Sequence, residues 1–270
     1  MTKHLIVNSD DFGISDGVSR GILEAHHQGI VTSTTTMVNM PAAEAAIRQA
    51  QQSAPDLGLG LHFTLSFGKP VSDPATVPSL VTGEGAFVST YADLMEKIPH
   101  FSAGDLEREM LAQFERFRQL AGCLPDHLDS HHGATYSHPT AFDVMLRLSK
   151  EHNLPIRWSE AIDERYGLDS SMVSALNASL KKHGKPRTSD RLVDFIFDFE
   201  STSRIERLKA GLRTIQDGYS ELVVHVGYAE NLQEDYNFQR EQELAAVIDE
   251  SVRQIIEAEG IQHCNFGDLP

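Results

Sequence analysis

The sequence predicts an α/β fold, arranged as a single-domain (β/α) TIM-like barrel, on three observations. Short apolar runs alternate with stretches of helical period along most of the chain, as parallel strands joined by crossover helices require. The 270 residues suffice for one barrel-sized domain. Ionisable residues gather where the apolar runs end, which is where parallel α/β folds build their sites. No internal repeat and no break in composition marks a linker. Residues 1–270 therefore read as one domain, with irregular insertions at about 66–90 and 159–190.

The elements follow in order. His-Leu-Ile-Val at 4–7 reads as a short buried strand, and Asp10 and Asp11 follow it. Ser15 or Asp16 can cap a helix carrying Val18, Ile22 and Ala25 at helical spacing, with Gly29 closing it in the C′ position. The Thr- and Val-rich run 30–38 is a strand, 41–50 a helix opened by Pro41, and 57–65 a third strand. Met110, Phe114, Phe117 and Leu120 form the apolar stripe of a helix over 106–120 that Gly122 ends. Pro125 leads into a fourth strand ending at His131 or His132, followed by a helix over 139–152 and a short strand at 155–158. The irregular region 159–190 allows a helix at 171–182 and carries the dense basic run Lys181 to Arg187, either a solvated loop or a segment reaching the substrate. A strand over 191–199, a helix over 203–215, a strand over 221–226, a long helix over 240–259 and a last strand over 261–266 complete the chain.

Composition excludes several roles. Acidic residues outnumber basic ones 39 to 23, a formal charge of -16 that repels nucleic acid and anionic membrane surfaces. No stretch approaches the length of a membrane span, and residues 1–5 lack the pattern of a secretory leader. Cys123 and Cys264 lie far apart in no metal or redox spacing, which suits small buried thiols in a reducing, cytoplasmic setting. A homo-oligomer stays open.

Three stretches carry candidate chemistry beside the Asp pair. In Gly58 to Leu65, alternation sets Leu59, Leu61, Phe63 and Leu65 on one face and Gly60, His62 and Thr64 on the other, so His62 points into a narrow polar space unless a backbone carbonyl satisfies it. In Pro125 to His132, His127, Asp129 and His131 share a face too polar to bury without partners or a metal, and Asp129 or His127 suits a position behind the ligands. His225 ends the apolar run Leu222-Val223-Val224 and precedes Gly227, where a neutral imidazole could exchange a proton. One Asp with two His leaves room for water and substrate on a divalent cation, a neighbouring carboxylate can serve as general base, and a further His as general acid. That is the apparatus of metal-assisted hydrolysis of an amide or ester.

The residues resemble the YdjC/ChbG family of carbohydrate deacetylases. The resemblance rests on Val7-Asn8-Ser9-Asp10-Asp11-Phe12-Gly13, Gly29-Ile30-Val31-Thr32-Ser33-Thr34, Gly60-Leu61-His62-Phe63-Thr64-Leu65 with Gly68-Lys69-Pro70, and His127-Leu128-Asp129-Ser130-His131-His132. It weakens over 159–190 and returns around His225 and in Asn265-Phe266-Gly267-Asp268-Leu269. It implies a distorted (β/α) barrel related to polysaccharide deacetylases and removal of an acetyl group from N-acetylated sugars such as chitooligosaccharides. Carried onto this chain, it implies Asp11, His62 and His131 as metal ligands, Asp10 as general base and His225 as general acid. Two positions depart from the family's pattern: Gly133, Ala134 and Thr135 follow His131-His132 with His138 displaced, and the family's His-Pro-Gly reads His225-Val226-Gly227. Two imidazoles and a carboxylate suit Zn²⁺, while the resemblance implies Mg²⁺; the cofactor is one divalent ion, Mg²⁺ or Zn²⁺. The other readings are a different sugar hydrolase, cutting a glycosidic or phosphoester bond, and a catalytically idle sugar-binding protein on the same barrel.

Overall fold

In the computed structural model, which describes residues 2–159, 167–199, 203–230, 232 and 236–270, the first apolar run becomes β1 (Lys3–Phe12). It is longer than the expected 4–7 because it is flanked along its whole length, and Leu5, Ile6 and Val7 are fully buried. The chain divides into two compact units, one comprising Met1–Thr36, Pro41–Leu59 and Ser189–Pro270 and the other Met37–Met40 and Gly60–Thr188.

In the first unit, β1 is paired in parallel along both edges. One edge of β1 takes β6 (Gly218–Val224), from Lys3↔Gly218 to Ser9↔Val224. Its other edge is shared: β7 (Ile261–His263) covers Lys3 to Leu5, and β2 (Ser33–Thr36) covers Asn8 to Phe12. β5 (Arg191–Val193) pairs with β6. The strands expected over 30–38, 191–199 and 261–266 are thus shortened to the lengths their partners can pair. β3 (Gly58–Phe63) starts here, its Gly58 N–H bonding Thr32 O at 3.1 Å.

The helices of this unit are set by local chemistry. α1 (Asp16–Gln28) is capped by Ser15, whose Oγ accepts from Val18 N. Gly29 ends it with φ −122 and not in the left-handed conformation expected; glycine is needed there because a Cβ would lie 2.5 Å from Val247 O. α2 (Ala43–Ser53) starts just after Pro41. α7 (Arg204–Leu212) precedes β6. The long helix expected over 240–259 is two, α8 (Phe238–Val247) and α9 (Glu250–Ala258), because Asp249 breaks the run and caps the second piece by accepting from Ser251 N at 2.8 Å.

In the second unit, β3 continues and pairs with β4 (Leu128–Ser130), placing His62 opposite Asp129. The expected strand at 155–158 is reduced to one bridge, Leu128↔Ile156. α4 (Ala103–Ala121) ends at Gly122 with φ 71, as the sequence predicts. α5 (Pro139–His152) has the expected limits and closes on a left-handed Asn153. α3 (Tyr91–Lys97), capped by Thr90, went unforeseen because seven residues are too few to show a helical period.

α6 (Ser170–His183) matches the helix expected within 159–190; residues 160–166 of that region lie outside the described residues. The basic run is anchored: Lys182 Nζ and His183 Nε2 lie 3.0 and 2.8 Å from the Asp143 carboxylate of α5. Lys181 and Lys182 stay exposed at the end of α6, and Gly184 and Lys185 follow exposed and without helix or strand. Cys123 is exposed and only Cys264 buried, so one of the two thiols departs from expectation. Among the described residues no helix is long and apolar enough to cross a membrane.

Candidate active site

In the first unit the parallel register of β1 and β6 delivers two site residues side by side. Ser9 pairs with Val224, so Asp10 and His225 are the next residues out at the carboxyl ends of adjacent strands. Asp10 Oδ2 lies 3.8 Å from His225 Nε2, and Asn8 Nδ2 donates to Asp10 Oδ1 at 3.0 Å. Asp11 follows in the left-handed region, φ 72, where the β1–β2 register slips between Ser9 and Phe12. Aspartate tolerates that conformation better than most residues. The slip turns the second carboxylate to a different environment, so the pair belongs to a bulged strand end.

α8 braces both residues. Arg240 Nη2 donates to Asp11 Oδ2 at 2.7 Å, with both side chains almost fully buried. One turn on, Glu243 accepts the His225 backbone N–H at 2.6 Å and the Tyr236 hydroxyl. Spacing of three puts Arg240 and Glu243 on one helical face. Burial pushes the Glu243 carboxyl up, against the opposing pull of His225 and its two hydrogen bonds. Burial, then the Glu243 charge, pushes the Tyr236 phenol well above its usual range, so it stays a donor.

In the second unit His62 Nδ1 meets Asp129 Oδ1 at 2.7 Å. A carboxylate only accepts, so Nδ1 carries the proton and Nε2 is the ring nitrogen left for another partner. Arg157 Nη1 lies 3.1 Å from the other Asp129 oxygen, and His127 Nε2 3.9 Å from it. Burial alone would raise the Asp129 carboxyl; the charges of His62 and Arg157 and the His62 hydrogen bond outweigh it and hold the group well below the usual carboxylate range. His127 is packed in place by Asp126, 2.5 Å from its Nδ1, and lies flat on Gly60, where a Cβ would come within 2.1 Å of the ring.

The strand expected to carry His131 stops at Ser130, and His131 opens a 3₁₀ turn, His131–Gly133. Its ring stands edge-on to His62 at 5.4 Å and stacks on His132 at 3.9 Å. His132 sits at φ 54 with its Nδ1 3.1 Å from Ser66 Oγ. His138 is a helix cap, its Nδ1 accepting from Thr140 N at 3.2 Å.

The structure thus brings Asp10 together with His225, and His62 together with His131 and Asp129. Sequence reasoning missed Arg240, Glu243, Tyr236 and Arg157. Arg157, lodged between Ile156 and Trp158, was the one legible signal: a charge inside an apolar run needs a buried partner. Buried aspartate and histidine groups of this kind could hold a metal ion.

A family model described as YdjC-like protein matches residues 4–258. The chain is 48% identical over 157 residues, 58% of its own length and 60% of the relative's, to a carbohydrate deacetylase of Geobacillus stearothermophilus. It is 34% identical to one of Brevibacillus brevis over 98% of this chain and 99% of that one. A chitooligosaccharide deacetylase of Proteus mirabilis is 32% identical over 100% of both chains. Among solved structures, an Enterococcus faecalis protein provisionally assigned to cellobiose-phosphate cleavage superposes with a TM-score of 0.83 at 29% identity, covering 98% of each chain. A family 4 carbohydrate esterase from Streptomyces lividans shares the fold, with a TM-score of 0.50 at 11% identity over 97% of this chain and 91% of that one. The motifs quoted from the sequence, the α/β fold and the reach of the family match along the chain agree: this protein belongs to the YdjC-like protein family.

Proposed function

We propose that the protein is a metal-dependent deacetylase that hydrolyses the acetamide of a small N-acetylated sugar of the chitooligosaccharide type. The observation that carries the reading is the Asp10–His225 pair, a carboxylate and an imidazole 3.8 Å apart at the ends of neighbouring strands. Amide hydrolysis needs one proton removed from the attacking water and one delivered to the departing amine. Asp10 accepts the first and His225 delivers the second. Glu243 holds the backbone of His225, and Asn8 orients Asp10.

Asp11, His62 and His131 are the residues that would hold the metal, a carboxylate and two imidazoles of a kind that suits a divalent ion. The donor chemistry fits: Asp129 fixes the His62 tautomer so that Nε2 carries the lone pair, and Arg240 fixes Asp11. A divalent ion so held supplies Lewis acidity that polarises the acetyl carbonyl and acidifies water. Zn²⁺ matches the two imidazoles and Mg²⁺ the carboxylate; the choice is read by metal analysis. The whole chain acts as one functional domain in a reducing, cytoplasmic setting, in keeping with its unpaired thiols.

Acetate release from a panel of N-acetylated mono- and disaccharides, with and without chelator, tests the reading. Chelator-sensitive release supports it; metal-loaded protein that releases no acetate refutes it. The Enterococcus faecalis neighbour favours a second reading, cleavage of a disaccharide at its glycosidic bond. New reducing ends without acetate would identify that reaction.

A further inference from the structure

Beyond β5 the chain turns at Asp194, whose Oδ1 accepts from Phe197 N at 3.0 Å, and then offers two phenylalanines to solvent. Phe197 is 41% and Phe199 59% exposed, whereas Tyr236 beneath them is 5% exposed. The Tyr236 ring stacks on Phe197 at 4.4 Å and 27°. Phe199 stands edge-on to Tyr236 at 5.2 Å and to Phe197 at 5.8 Å. The Phe197 ring is 5.0 Å from the His225 ring.

The rings are held at the surface by polar links. Asp198 N donates to the Tyr236 hydroxyl at 3.3 Å, and the Asp198 carboxylate pairs with Arg207 at 2.5 Å. Arg204 donates to the Asp198 carbonyl, and the Tyr236 hydroxyl is bound in turn to buried Glu243. Leaving a phenylalanine in water forgoes the stabilisation its burial would give. A pair of them braced outward, beside a residue placed to donate a proton, marks a ligand-contacting surface.

We infer that Phe197 and Phe199 form a stacking platform for a pyranose ring of the substrate, next to His225. A pyranose has a flat face of C–H bonds, slightly positive and weakly hydrated, which complements the negative face of an aromatic ring. Tyr236 occupies one side of Phe197 and leaves the ring's open area for the sugar. β5 and β6 are parallel, so the platform and His225 leave the sheet at the same end. The platform reads the sugar ring and not the acetyl group. It therefore rests on the saccharide reading above but makes a separate demand: sugars lacking an acetamide also bind.

The test is calorimetric titration of chelated protein with N,N′-diacetylchitobiose and with cellobiose, alongside acetate-release kinetics. The variants are Phe197→Ala, Phe199→Ala and Phe197→Trp. Phe197→Ala should weaken both disaccharides by about ten-fold or more, raise KM correspondingly and leave kcat within about three-fold. Phe197→Trp should retain affinity, which separates stacking from misfolding. Unchanged affinities in both alanine variants at wild-type melting temperature would overturn the platform, as would wild-type protein that binds neither disaccharide. Affinity that depends on Phe197 in a protein releasing no acetate would uphold the platform and sink the deacetylase reading. Acetate release with KM indifferent to Phe197 would do the reverse.

Discussion

Asp129→Asn isolates one charge at the heart of the second unit. The asparagine keeps the size and an oxygen that can still accept from His62, so what disappears is the anion facing Arg157 at 3.1 Å. Arg157 is 2% exposed and cannot turn to water. Removing one partner of a buried ion pair costs about 3–5 kcal/mol. For a chain of this size that is roughly 6–20 °C in Tm, at about 2–4 °C per kcal/mol.

The pH dependence follows from the direction of the shift. The folded carboxyl lies well below the ordinary value of 3.8, so its stabilisation is complete above that value and is lost as pH falls through the folded one. The gap between wild type and Asp129→Asn should therefore be level at neutral pH and narrow as pH drops below about 4. Urea unfolding at pH 7 and pH 3 measures both. Adding Arg157→Met to the variant removes the buried charge that faced Asp129 and should restore more than half of the lost stability. A loss under about 1 kcal/mol at pH 7, or one undiminished at pH 3, would refute the reasoning.

Asp10→Asn should reduce acetate release by about 10²–10⁴-fold, the usual contribution of a general base, while metal content measured by plasma emission stays that of wild type. Arg240→Met leaves the buried Asp11 carboxylate without its 2.7 Å partner; a loss of about 3–5 kcal/mol in urea unfolding is expected. Gly60→Ala drives a methyl into the His127 ring and should cost about 1–3 kcal/mol, a cost that Gly60→Ala with His127→Ala should partly relieve in the same assay. Chelation should abolish acetate release, and re-addition of Zn²⁺ or Mg²⁺ should restore it, the more effective ion naming the cofactor.

Much of this protein was legible in its sequence, because the relevant signals are local. The caps at Ser15 and Gly122, the Pro139–His152 helix and the apolar character of β1 each follow from a handful of consecutive residues. So does the presence of acids and imidazoles at strand ends, since a polar residue closing an apolar run is visible without knowing its neighbours. Strand limits were not legible. β1 reaches Phe12 because β2 and β6 supply hydrogen bonds to it, while the runs at 191–199 and 261–266 stop after three residues where pairing ends. The same holds for Arg240 and Glu243, which on sequence read as ordinary surface charges, and for the partner of Arg157, whose place in an apolar run shows a need for one without naming it. Only the register that sets residues 10 and 225 side by side, and His62 across from Asp129, shows that these charges are interior partners. Chemical type is written along the chain, but the partner that makes a charge affordable to bury is a long-range contact, and only folding decides it.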